Sequence, residues 1–593
     1  MTPEEIKAAV ELWLSWDKND ITIREVQALV ASNDHATLEK LFGSRMEFGT
    51  AGLRAAMGAG TSHMNDVTVI QAAQGLAAYL KTQFTSADLS ERGIVIGNDA
   101  RHNSSRFARL SANVFLANDI KTYLFSDIVC TPYVPFTVRR RGCIAGVMVT
   151  ASHNPKQDNG YKVYWSNGAQ IIGPHDSGIA QSIEENLTPQ AASWATQPGA
   201  IDPTEDTAAA YFKSLSELCL HKDIAEKSST KFTYTAMHGV GTRFTTQSLS
   251  TFGVRSENIV YVKEQVEPDP EFPTVAFPNP EEGKSALNLA FATAEAHNSR
   301  VILANDPDAD RLAVAERQDD GAWRVFTGNH IGALFGWWAL ERYKRSGNVV
   351  DHNVAMVSSA VSSMILRSMA QKEGFTFEET LTGFKWMGSR SEILEREQQK
   401  TVLFAFEEAI GFMFGTRVYD KDGVTAAAVM ADMVHDLELN ENGKRLSDKL
   451  ADIYREYGFH ASYNSYVVSK DSSKTRTMFD SMRTLGPDGG YPSTVAGVKV
   501  ISIRDLSVGL DTSRPDGIAL LPSSAVSPMI TFYFENKSVL TIRGSGTEPK
   551  IKWYAEMIST DGTSCESELV EFVTAAVGEL MRPNEFGFLP RPT

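Results

Sequence analysis

Three short apolar runs, each followed by polar or glycine-bearing residues, most strongly limit the folds open to this chain. They are residues 94–96, 144–149 and 301–303. Runs of this length are typical of buried strands in a mostly parallel sheet. Helix-like patterns lie between them at residues 69–84, 104–117 and 284–297. The repeated order of strand, loop and helix predicts an α/β protein.

The last third of the chain has a different pattern, which favours an α+β terminal domain. Its predicted strands, separated by turn residues, are 462–468, 497–503, 529–534 and 538–543. A length of 593 residues suggests about four domains. The domains we expect are 1–205, 206–325, 326–445 and 446–593. Residues 267–280 carry five prolines and are expected to form an extended surface excursion.

Charge and hydropathy argue against several classes of partner. The chain carries 57 Lys and Arg against 73 Asp and Glu, a net charge of −16. Because nucleic-acid affinity depends on clustered cations, we expect no nucleic-acid partner. The longest strongly apolar stretch, near residues 331–340, is shorter than the roughly 20 residues of a membrane helix. The charged N-terminus does not resemble a secretory signal, so we expect no membrane partner and a cytoplasmic location.

The four cysteines are Cys130, Cys143, Cys219 and Cys565, and they include no CxxC pair. Scattered cysteines support neither a disulfide framework nor a zinc ribbon. We expect four reduced thiols, as in cytosolic proteins.

The first candidate for chemistry is the motif TASHNP at residues 150–155, which follows a predicted strand. It places Ser152 in a loop at a strand's carboxyl end, with His153 adjacent and Lys162 ten residues further on. A hydroxyl becomes a useful nucleophile when a base or a cation lies nearby. The alternative is a Ser-Asn-Pro turn with no catalytic role.

Three aspartates follow the predicted strand 301–303, in the motif NDPDADR. In an extended segment side chains repeat with period two, so Asp306, Asp308 and Asp310 can point the same way. A hard cation would relieve their repulsion, and Mg²⁺ prefers oxygen ligands and often binds phosphate as well. The sequence therefore predicts a magnesium site, with a solvated acidic loop as the alternative. The spacing is not that of an EF-hand.

A glycine-bearing loop near the C-terminus is the third candidate. The motif RGSGTEPK at residues 543–550 combines two flexible glycines with the hydroxyls of Ser545 and Thr547. Arg543 can bind a phosphate through two hydrogen bonds, and converging backbone N–H groups favour an anion. These features favour a phosphate cradle, and the alternative is a plain hairpin connection. The P-loop pattern GxxxxGK[ST] is absent.

Two weaker motifs complete the set. FGTAGLR at residues 48–54 has a sharp glycine-bearing backbone and presents Arg54 as a phosphate contact. FEEAIG at residues 406–411 offers Glu407 and Glu408 as acceptors for sugar hydroxyls. A structural turn or a solvated glutamate pair is the alternative for either. The combined set suits a substrate with a phosphate at one end and a reacting oxygen at the other.

Together, TASHNP, DPDADR, GFKWMG, FEEAIG and RGSGTEP resemble in order and spacing the motifs of the α-D-phosphohexomutases, most closely the phosphoglucomutase-2 (phosphopentomutase) type. The resemblance covers essentially the whole chain. It implies an α/β architecture of four domains around a central cleft, three with mixed α/β sheets and a C-terminal α+β domain. It also implies phosphoryl transfer through a phosphoserine and a bisphosphate intermediate, with glucose 1,6-bisphosphate as primer.

The resemblance assigns roles to individual residues. Ser152 would carry the phosphoryl group, and an oxygen of that phosphoserine would join Asp306, Asp308 and Asp310 around Mg²⁺. The residues around the transferring group would be Arg54, His153 and Lys162, with Lys162 or His153 as acid/base candidates. The residues that bind the sugar phosphate would be Arg311, Lys385, Glu407, Arg543, Ser545, Gly546, Thr547 and Lys552.

One departure bears on substrate choice. Hexose-directed phosphoglucomutases carry Glu-x-Ser in the sugar loop, whereas Glu407-Glu408-Ala409 places alanine at the serine position. A lost hydrogen bond of about 0.5–1.5 kcal/mol biases selectivity without forbidding a substrate. From the resemblance and this departure we expect an enzyme that interconverts ribose or deoxyribose 1- and 5-phosphates and glucose 1- and 6-phosphates. We also expect it to be a monomer. A glucose-1,6-bisphosphate synthase that uses 1,3-bisphosphoglycerate is the main alternative, and an inactive sugar-phosphate-binding scaffold is another.

Overall fold

The computed structural model divides the chain into two compact units. Unit 1 comprises Met1–Ile331 and Phe384–Leu446, and unit 2 comprises Gly332–Gly383 and Ser447–Thr593. The structure describes residues 1–49, 52–282, 285–545, 549–559 and 563–591. Within these ranges, no helix combines the length and the apolar composition needed to cross a membrane.

Three helices form the N-terminal part of unit 1: α1 (Pro3–Trp16), α2 (Asp20–Ala31) and α3 (His35–Phe42). The side chains of Thr2, Asn19 and Asp34 cap them by accepting hydrogen bonds from backbone N–H groups of the first turn. Their apolar faces pack around the fully buried Trp13.

A five-stranded sheet with its helices follows. Its elements are β1 (Leu53–Ala56), α4 (Asp66–Gln83), α5 (Ser86–Glu91), β2 (Ile94–Asn98), α6 (Ser104–Ala117), β3 (Thr122–Leu124), α7 (Tyr133–Arg141), β4 (Ala145–Val149), β5 (Asp158–Trp165) and α8 (His175–Glu185). The strand order is β1-β5-β4-β2-β3. Strand β2 runs parallel to β3 and β4, whereas β5 runs antiparallel to β4 and β1. Every residue of β2 and β4 is buried, as expected for strands covered on both faces.

A second sheet repeats this plan. Its elements are α9 (Thr204–Ser216), α10 (Lys222–Ala225), β6 (Phe232–Thr235), α11 (Gly241–Thr251), β7 (Ile259–Tyr261), α12 (Asn288–Ala296), β8 (Val301–Ala304), β9 (Ala313–Arg317) and β10 (Trp323–Val325). The order is β10-β9-β8-β6-β7, with β6 parallel to β7 and β8. Strand β9 runs antiparallel to β8 and β10.

Both sheets are mostly parallel, as predicted, but each contains one strand, β5 or β9, that runs antiparallel to the other four. The reason is the length of two connections, residues 150–157 and 305–312. A parallel crossover needs about a dozen residues or more. Both connections are shorter, so the chain turns straight back antiparallel, and both carry a motif predicted to be functional.

The next part of the chain belongs first to unit 2 and then to unit 1. The elements are α13 (Gly328–Arg345), β11 (Val354–Ser359), α14 (Ile365–Glu373), β12 (Thr376–Thr380), α15 (Phe384–Arg396), β13 (Thr401–Glu407), β14 (Gly411–Phe414) and α16 (Gly423–Asn440). Unit 2 holds the parallel pair of β11 and β12. Unit 1 holds the antiparallel hairpin of β13 and β14, followed by the largely buried helix α16.

The C-terminal part of unit 2 is built on an antiparallel sheet. Its elements are α17 (Leu446–Tyr457), β15 (Phe459–Val468), α18 (Ser472–Met482), β16 (Thr494–Val495), β17 (Val498–Asp505), β18 (Leu510–Asp511), β19 (Met529–Phe534), β20 (Ser538–Gly544), β21 (Lys550–Ser559), α19 (Glu566–Met581), α20 (Pro583–Phe586) and β22 (Leu589–Pro590). The order is β16-β17-β19-β20-β21-β15-β22, with β18 beside β17. Helix α19 packs on β15 and β21 around a shared apolar core. The predicted α/β fold with a C-terminal α+β part is confirmed.

The proline-rich residues 267–280 run along the surface, as the sequence predicted, but they also pack side chains inward. Phe272 and Val275 are buried, and the His238 ring forms a 2.7 Å hydrogen bond with Thr274 Oγ1. Proline restricts the backbone and removes donors, but it does not prevent neighbouring side chains from packing inward.

Candidate active site

Ser152 lies in the tight connection from β4 to β5, at the carboxyl end of β4. Its φ of 54° is in the left-handed region, which is costly for a residue that carries a Cβ. Its backbone N–H donates to Thr150 Oγ1 over 2.9 Å. Its hydroxyl donates to Asp306 Oδ2 over 3.1 Å, although the two residues are far apart in the chain. The predicted nucleophile and the aspartate motif therefore meet within unit 1.

The guanidinium of Arg101, which sequence reasoning missed, holds this connection in place. Arg101 is buried, and its Nη2 donates to the carbonyl oxygens of Ser152 and Asn154 over 2.6 Å each. Its Nη1 donates to the carbonyl oxygen of Pro155 over 2.8 Å. Asp99 balances the buried charge at 3.4 Å from Arg101 Nε. These bonds satisfy carbonyls that a tight turn leaves without ladder partners.

The three aspartates lie in a turn after β8 and not in the extended segment that the sequence predicted. Ala309 has a φ of 57°, and its N–H donates to the Asp306 carbonyl over 2.9 Å. One oxygen from each of Asp306, Asp308 and Asp310 lies within 4.8 Å of the others, and all three residues are fully buried. Alternate side chains of a strand would stand about 7 Å apart. The turn therefore gathers the carboxylates more closely than a strand could.

Lysine side chains balance the aspartates. Lys162 Nζ donates to Asp308 Oδ2 over 2.7 Å and to Asp310 Oδ2 over 2.8 Å. Burial and the neighbouring carboxylates raise the pKa of Asp306. Burial also acts to raise the pKa of Asp308, but Lys162 holds that pKa below its usual range. The cluster is therefore a dense set of partly balanced buried charges.

Two oxygens of the cluster suit a metal. In the part of the chain that the structure describes, Asp308 Oδ1 and Asp310 Oδ1 are buried and accept no hydrogen bond. A buried carboxylate oxygen without a partner is costly. A hard divalent cation prefers such oxygens, so the residues present fit Mg²⁺.

The His153 ring lies beside the serine hydroxyl, with Nδ1 3.3 Å from Ser152 Oγ. Burial lowers the pKa of His153, and the charges of Arg311 and Arg54 lower it further. The ring is therefore neutral at pH 7. A neutral ring at this distance can accept or relay a proton.

Lys421 is a second candidate that sequence reasoning missed. Its Nζ lies 3.0 Å from Asp310 Oδ2 and 3.6 Å from Asp420 Oδ1. Tyr164 and Gln170 both donate to Asp420 Oδ2, over 2.8 and 2.7 Å. The sequence offers a weak signal, since Lys421 precedes a helix N-cap. Nothing in the local sequence indicates that its side chain reaches residues 305–312, the proposed metal-binding loop (the metal loop).

Thr131 also touches the cluster without having been predicted. Its hydroxyl donates to Asp308 Oδ2 over 2.6 Å, and its N–H donates to the Asp308 carbonyl over 2.9 Å. It lies just before α7, in the first sheet's part of the chain. A threonine in a loop carries no sequence signal for this contact, because hydroxyls are common in loops.

The remaining predicted residues of unit 1 border the same cluster. Arg54, on β1, donates to Asn154 Oδ1 over 3.2 Å. Arg311 Nε lies 3.9 Å from Asp310 Oδ1. Glu407 ends β13, and burial raises its pKa to about 7 against the charges of Lys421 and Arg311.

The metal loop and the Glu407 turn are joined by the backbone. The N–H of Leu312 donates to the Ile410 carbonyl over 3.1 Å, and Arg311 forms a β-bridge with Gly411. Lys385 lies in the first turn of α15, with its Nζ 5.9 Å from the Trp386 ring centroid. Unit 1 therefore brings together the TASHNP, DPDADR and FEEAIG motifs.

The predicted phosphate cradle belongs to unit 2. Arg543 lies near the end of β20, directly opposite Lys552 on β21. The N–H of Ser545 donates to the Lys550 carbonyl over 2.9 Å. Gly546 and Thr547 lie outside the described residues. The phosphate-binding role of this loop stays a prediction.

Comparison with protein families gives three consecutive matches. Residues 45–190 match phosphoglucomutase/phosphomannomutase α/β/α domain I, residues 209–321 match domain II and residues 327–457 match domain III. The matches include the Ser152 connection, the aspartate turn and the Glu407 turn. A further C-terminal part follows the third match.

Two curated relatives are similar over nearly their whole length. Human phosphopentomutase is 49% identical over 596 residues, which cover 98% of this chain and 96% of that protein. Human glucose 1,6-bisphosphate synthase is 44% identical over 605 residues, which cover 99% of this chain and 96% of that protein.

A solved structure supports the fold independently. The open form of parafusin, a phosphoglucomutase from Paramecium, aligns with a TM-score of 0.65 at 18% identity. The alignment covers 92% of this chain and 96% of that chain. Identity this low supports the fold and nothing finer.

Proposed function

The chain belongs to the phosphoglucomutase/phosphomannomutase family, and on that basis we propose that it is an intramolecular phosphotransferase of the phosphopentomutase type. It interconverts ribose or deoxyribose 1-phosphate and 5-phosphate, and also glucose 1-phosphate and 6-phosphate. The observation that carries this proposal is the Ser152 hydroxyl, 3.1 Å from an aspartate of a buried carboxylate triad.

The proposed cycle has two half-reactions that balance. Phosphorylated Ser152 first donates its phosphoryl group to the free hydroxyl of the sugar phosphate. The bond from phosphorus to Ser152 Oγ breaks, a bond to the sugar oxygen forms, and the proton of the sugar hydroxyl is passed on to Ser152 Oγ. The resulting bisphosphate reorients, and its other phosphate returns to Ser152, leaving the isomeric monophosphate. Glucose 1,6-bisphosphate would prime unphosphorylated enzyme.

Charge stabilisation is the main task of the surrounding residues, because phosphoryl transfer depends chiefly on positioning and electrostatics. Asp306, Asp308 and Asp310 would hold Mg²⁺ together with an oxygen of phosphoserine. When bound, the metal supplies positive charge against the roughly −1.5 to −2 charge of the phosphoryl group. Arg54 and Lys162 add further positive charge from β1 and β5.

Three side chains are candidates for proton transfer. His153 is neutral and lies 3.3 Å from Ser152 Oγ, which suits it to relay the serine proton. Lys162 and Lys421 both contact Asp310 and are candidates for proton exchange with the sugar hydroxyl. The aspartates raise the pKa of both lysines against the effect of burial, so both are charged donors while these ion pairs persist.

Separate groups of residues would bind the sugar and the non-reacting phosphate in this proposal. Glu407 and Lys385 would bind the sugar, with Arg311 beside the metal loop. The non-reacting phosphate would be held by Arg543, Ser545, Gly546, Thr547 and Lys552. Such remote binding supplies energy for orienting the sugar at the reacting centre.

The decisive experiment compares kcat/KM for ribose 1-phosphate and glucose 1-phosphate, with Mg²⁺ and a trace of glucose 1,6-bisphosphate. We expect turnover of both sugars and a preference for the pentose. Incorporation of phosphate into Ser152, mapped by peptide mass spectrometry, should accompany turnover. Absence of both turnover and phosphoenzyme would contradict the proposal and leave a sugar-phosphate-binding scaffold.

A glucose 1,6-bisphosphate synthase is the second candidate, favoured by the 44% identity to the human enzyme of that name. It would use the same serine but receive phosphate from 1,3-bisphosphoglycerate and release the bisphosphate. Bisphosphate that accumulates far beyond the enzyme concentration, with weak turnover of both sugar phosphates, would favour the synthase.

We also propose a cytoplasmic location. Cys130, Cys143 and Cys565 are buried free thiols. Free thiols persist in reducing compartments. Fractionation of cells that express a tagged full-length chain would test this location directly.

A further inference from the structure

The proline-rich segment, residues 267–280, has no part in the mechanism above, yet its tip touches the connection that carries Ser152. We propose that Phe272 and Glu271 of this segment are positioning residues that brace the nucleophile loop, residues 150–157, for phosphoryl transfer. This inference rests on the proposed function. It assigns the segment a role in kcat and in the lifetime of the phosphoenzyme.

One end of the brace is anchored beside the metal loop. The N–H of Asp269 donates to the His238 carbonyl over 2.9 Å, and the His238 ring bonds Thr274 Oγ1 at 2.7 Å. The turn after His238 packs directly on the aspartate motif. A Cβ added to Gly239 would come within 2.3 Å of Pro307 Cα, and the N–H of Val240 donates to the Pro307 carbonyl over 2.8 Å.

Phe272 covers the arginine that holds the nucleophile loop. The Arg101 Cζ lies 5.1 Å from the Phe272 ring centroid, a cation–π distance. Arg101 in turn donates to the Ser152 and Asn154 carbonyls over 2.6 Å. Because Phe272 is 5% exposed, its ring keeps water away from these bonds. Water exclusion strengthens hydrogen bonds to a charged donor.

The backbone of Phe272 is held in an unfavourable conformation. Its φ is 45°, in the left-handed region, which is rare for a bulky residue. Two local hydrogen bonds hold it there, from the Phe272 N–H to the Asp269 carbonyl at 3.1 Å and from the Val275 N–H to the Phe272 carbonyl at 3.0 Å. The conformation directs the ring onto Arg101 and so supports a role beyond simple packing.

Glu271 adds two ion pairs, one to His102, the residue after Arg101, and one to Lys156. Its Oε1 lies 2.5 Å from His102 Nε2, and its Oε2 lies 2.7 Å from Lys156 Nζ, within the nucleophile loop. The carboxylate is half exposed, so each ion pair contributes little to stability. The contribution of Glu271 is to position the loop, because its side chain links His102 to Lys156 of the nucleophile loop.

The same segment therefore bears on both halves of the reacting centre. It packs on the metal loop through the turn after His238 and on the nucleophile loop through Arg101. Loosening it would let the serine and aspartate motifs drift apart. Small misplacement of reacting groups costs rate without weakening substrate binding, and it also opens the phosphoserine to water.

The test uses the full-length enzyme with Phe272→Leu and Glu271→Ala. The matched controls are Phe277→Leu and Glu267→Ala, exposed residues of the same types in the same segment. For each variant kcat, KM and the rate of phosphoenzyme hydrolysis without sugar are measured, the last by intact-protein mass spectrometry. Thermal unfolding establishes that each variant is folded.

We expect Phe272→Leu to lower kcat about tenfold and to speed phosphoenzyme hydrolysis by a similar factor, with KM within about twofold of wild type. Glu271→Ala should change both rates in the same direction by about threefold. The controls should match wild type. If Phe272→Leu does not fold, Glu271→Ala decides the outcome.

Wild-type kcat and phosphoenzyme lifetime in both variants would overturn the inference, and so would a change in KM alone. A wild-type enzyme that forms no phosphoenzyme would instead contradict the proposed function. The two failures are therefore distinguishable.

Discussion

At the scale of one residue, the strained backbone of Ser152 fixes the position of its hydroxyl. Its left-handed backbone and the Arg101 bonds aim Oγ at Asp306. Replacing Ser152 with alanine should abolish phosphoenzyme and lower turnover by at least about 10³-fold, as expected when a covalent nucleophile is removed. Phosphate incorporation and kcat measure this directly. Ser105→Ala, at an exposed serine of α6, is the control, and normal turnover in Ser152→Ala would remove the serine from the mechanism.

Glu407 makes stability depend on pH at the same scale. Burial raises its pKa to about 7, whereas an exposed glutamate has a pKa of about 4.3. Between about pH 4.3 and pH 7 the folded protein therefore binds one more proton than the unfolded chain does. The free energy of unfolding falls as the pH rises through this range. Glu407→Gln should remove the effect, so the stability of this variant relative to wild type should increase with pH by about 3–4 kcal/mol, reached above pH 7.

Urea unfolding of both proteins at pH 5 and pH 8 measures the difference. The exposed Glu264→Gln is the control and should follow wild type at both values. Identical pH dependence in wild type and Glu407→Gln would mean that the carboxyl titrates normally.

At the scale of elements, the N-terminus of α16 determines where Lys421 lies, because the helix cap, Asp422, follows Lys421 directly. Asp422 caps the helix by accepting from the Thr425 N–H over 2.9 Å, and Tyr211 Oη donates to the same carboxylate over 2.8 Å. Asp422→Ala should cost about 2–4 kcal/mol, because the helix loses its cap and the buried Tyr211 hydroxyl loses its charged acceptor and keeps only Thr425 Oγ1 at 3.3 Å. It should also lower kcat, because Lys421 loses its fixed position.

Chemical denaturation and steady-state kinetics of Asp422→Ala test both effects. Asp471→Ala removes the exposed cap of α18 in unit 2, and we expect it to cost only about 1 kcal/mol. Equal losses in the two variants would mean that the buried Tyr211 bond contributes nothing.

At the same scale, we expect the turn between β13 and β14 to influence which sugar the enzyme prefers. The sequence resemblance to the α-D-phosphohexomutases implies that Ala409 stands where hexose-directed phosphoglucomutases carry serine. Ala409→Ser should raise kcat/KM for glucose 1-phosphate relative to ribose 1-phosphate about two- to tenfold, the worth of one hydrogen bond. Ala409→Cys, which is similar in size but a weak donor, should leave the ratio unchanged. A ratio that is the same in all three proteins would refute this role for the turn.

Metal binding should stabilise one unit at the scale of the whole molecule, because all three aspartates belong to unit 1. Mg²⁺ at about 100 times its Kd should stabilise the folded state by about 2.7 kcal/mol. Hydrogen exchange followed by peptide mass spectrometry should place the added protection in unit 1. Asp308→Asn should weaken Mg²⁺ binding at least about tenfold, whereas the exposed Asp320→Asn should not. Equal protection of both units, or undiminished binding by Asp308→Asn, would contradict this placement.

Much of the fold was readable from local pattern. The predicted helix 104–117 coincides with α6, and the predicted strand 529–534 coincides with β19. Both follow from apolar periodicity, which is a local property of the chain. The antiparallel strands β5 and β9 were missed because direction depends on connection length and pairing partner, which periodicity does not report.

The sequence by itself determined which chemistry is available. The motifs at Ser152, Asp306–Asp310 and Glu407 are contiguous, and their residue types alone indicate a nucleophile, a cation site and hydroxyl acceptors. Only the tertiary structure decided which distant side chains lie around these motifs: Arg101, Thr131, Lys421 and the Phe272 ring. The physical reason is that their contacts span tens to hundreds of residues, so burial and charge pairing arise only when separate elements pack together.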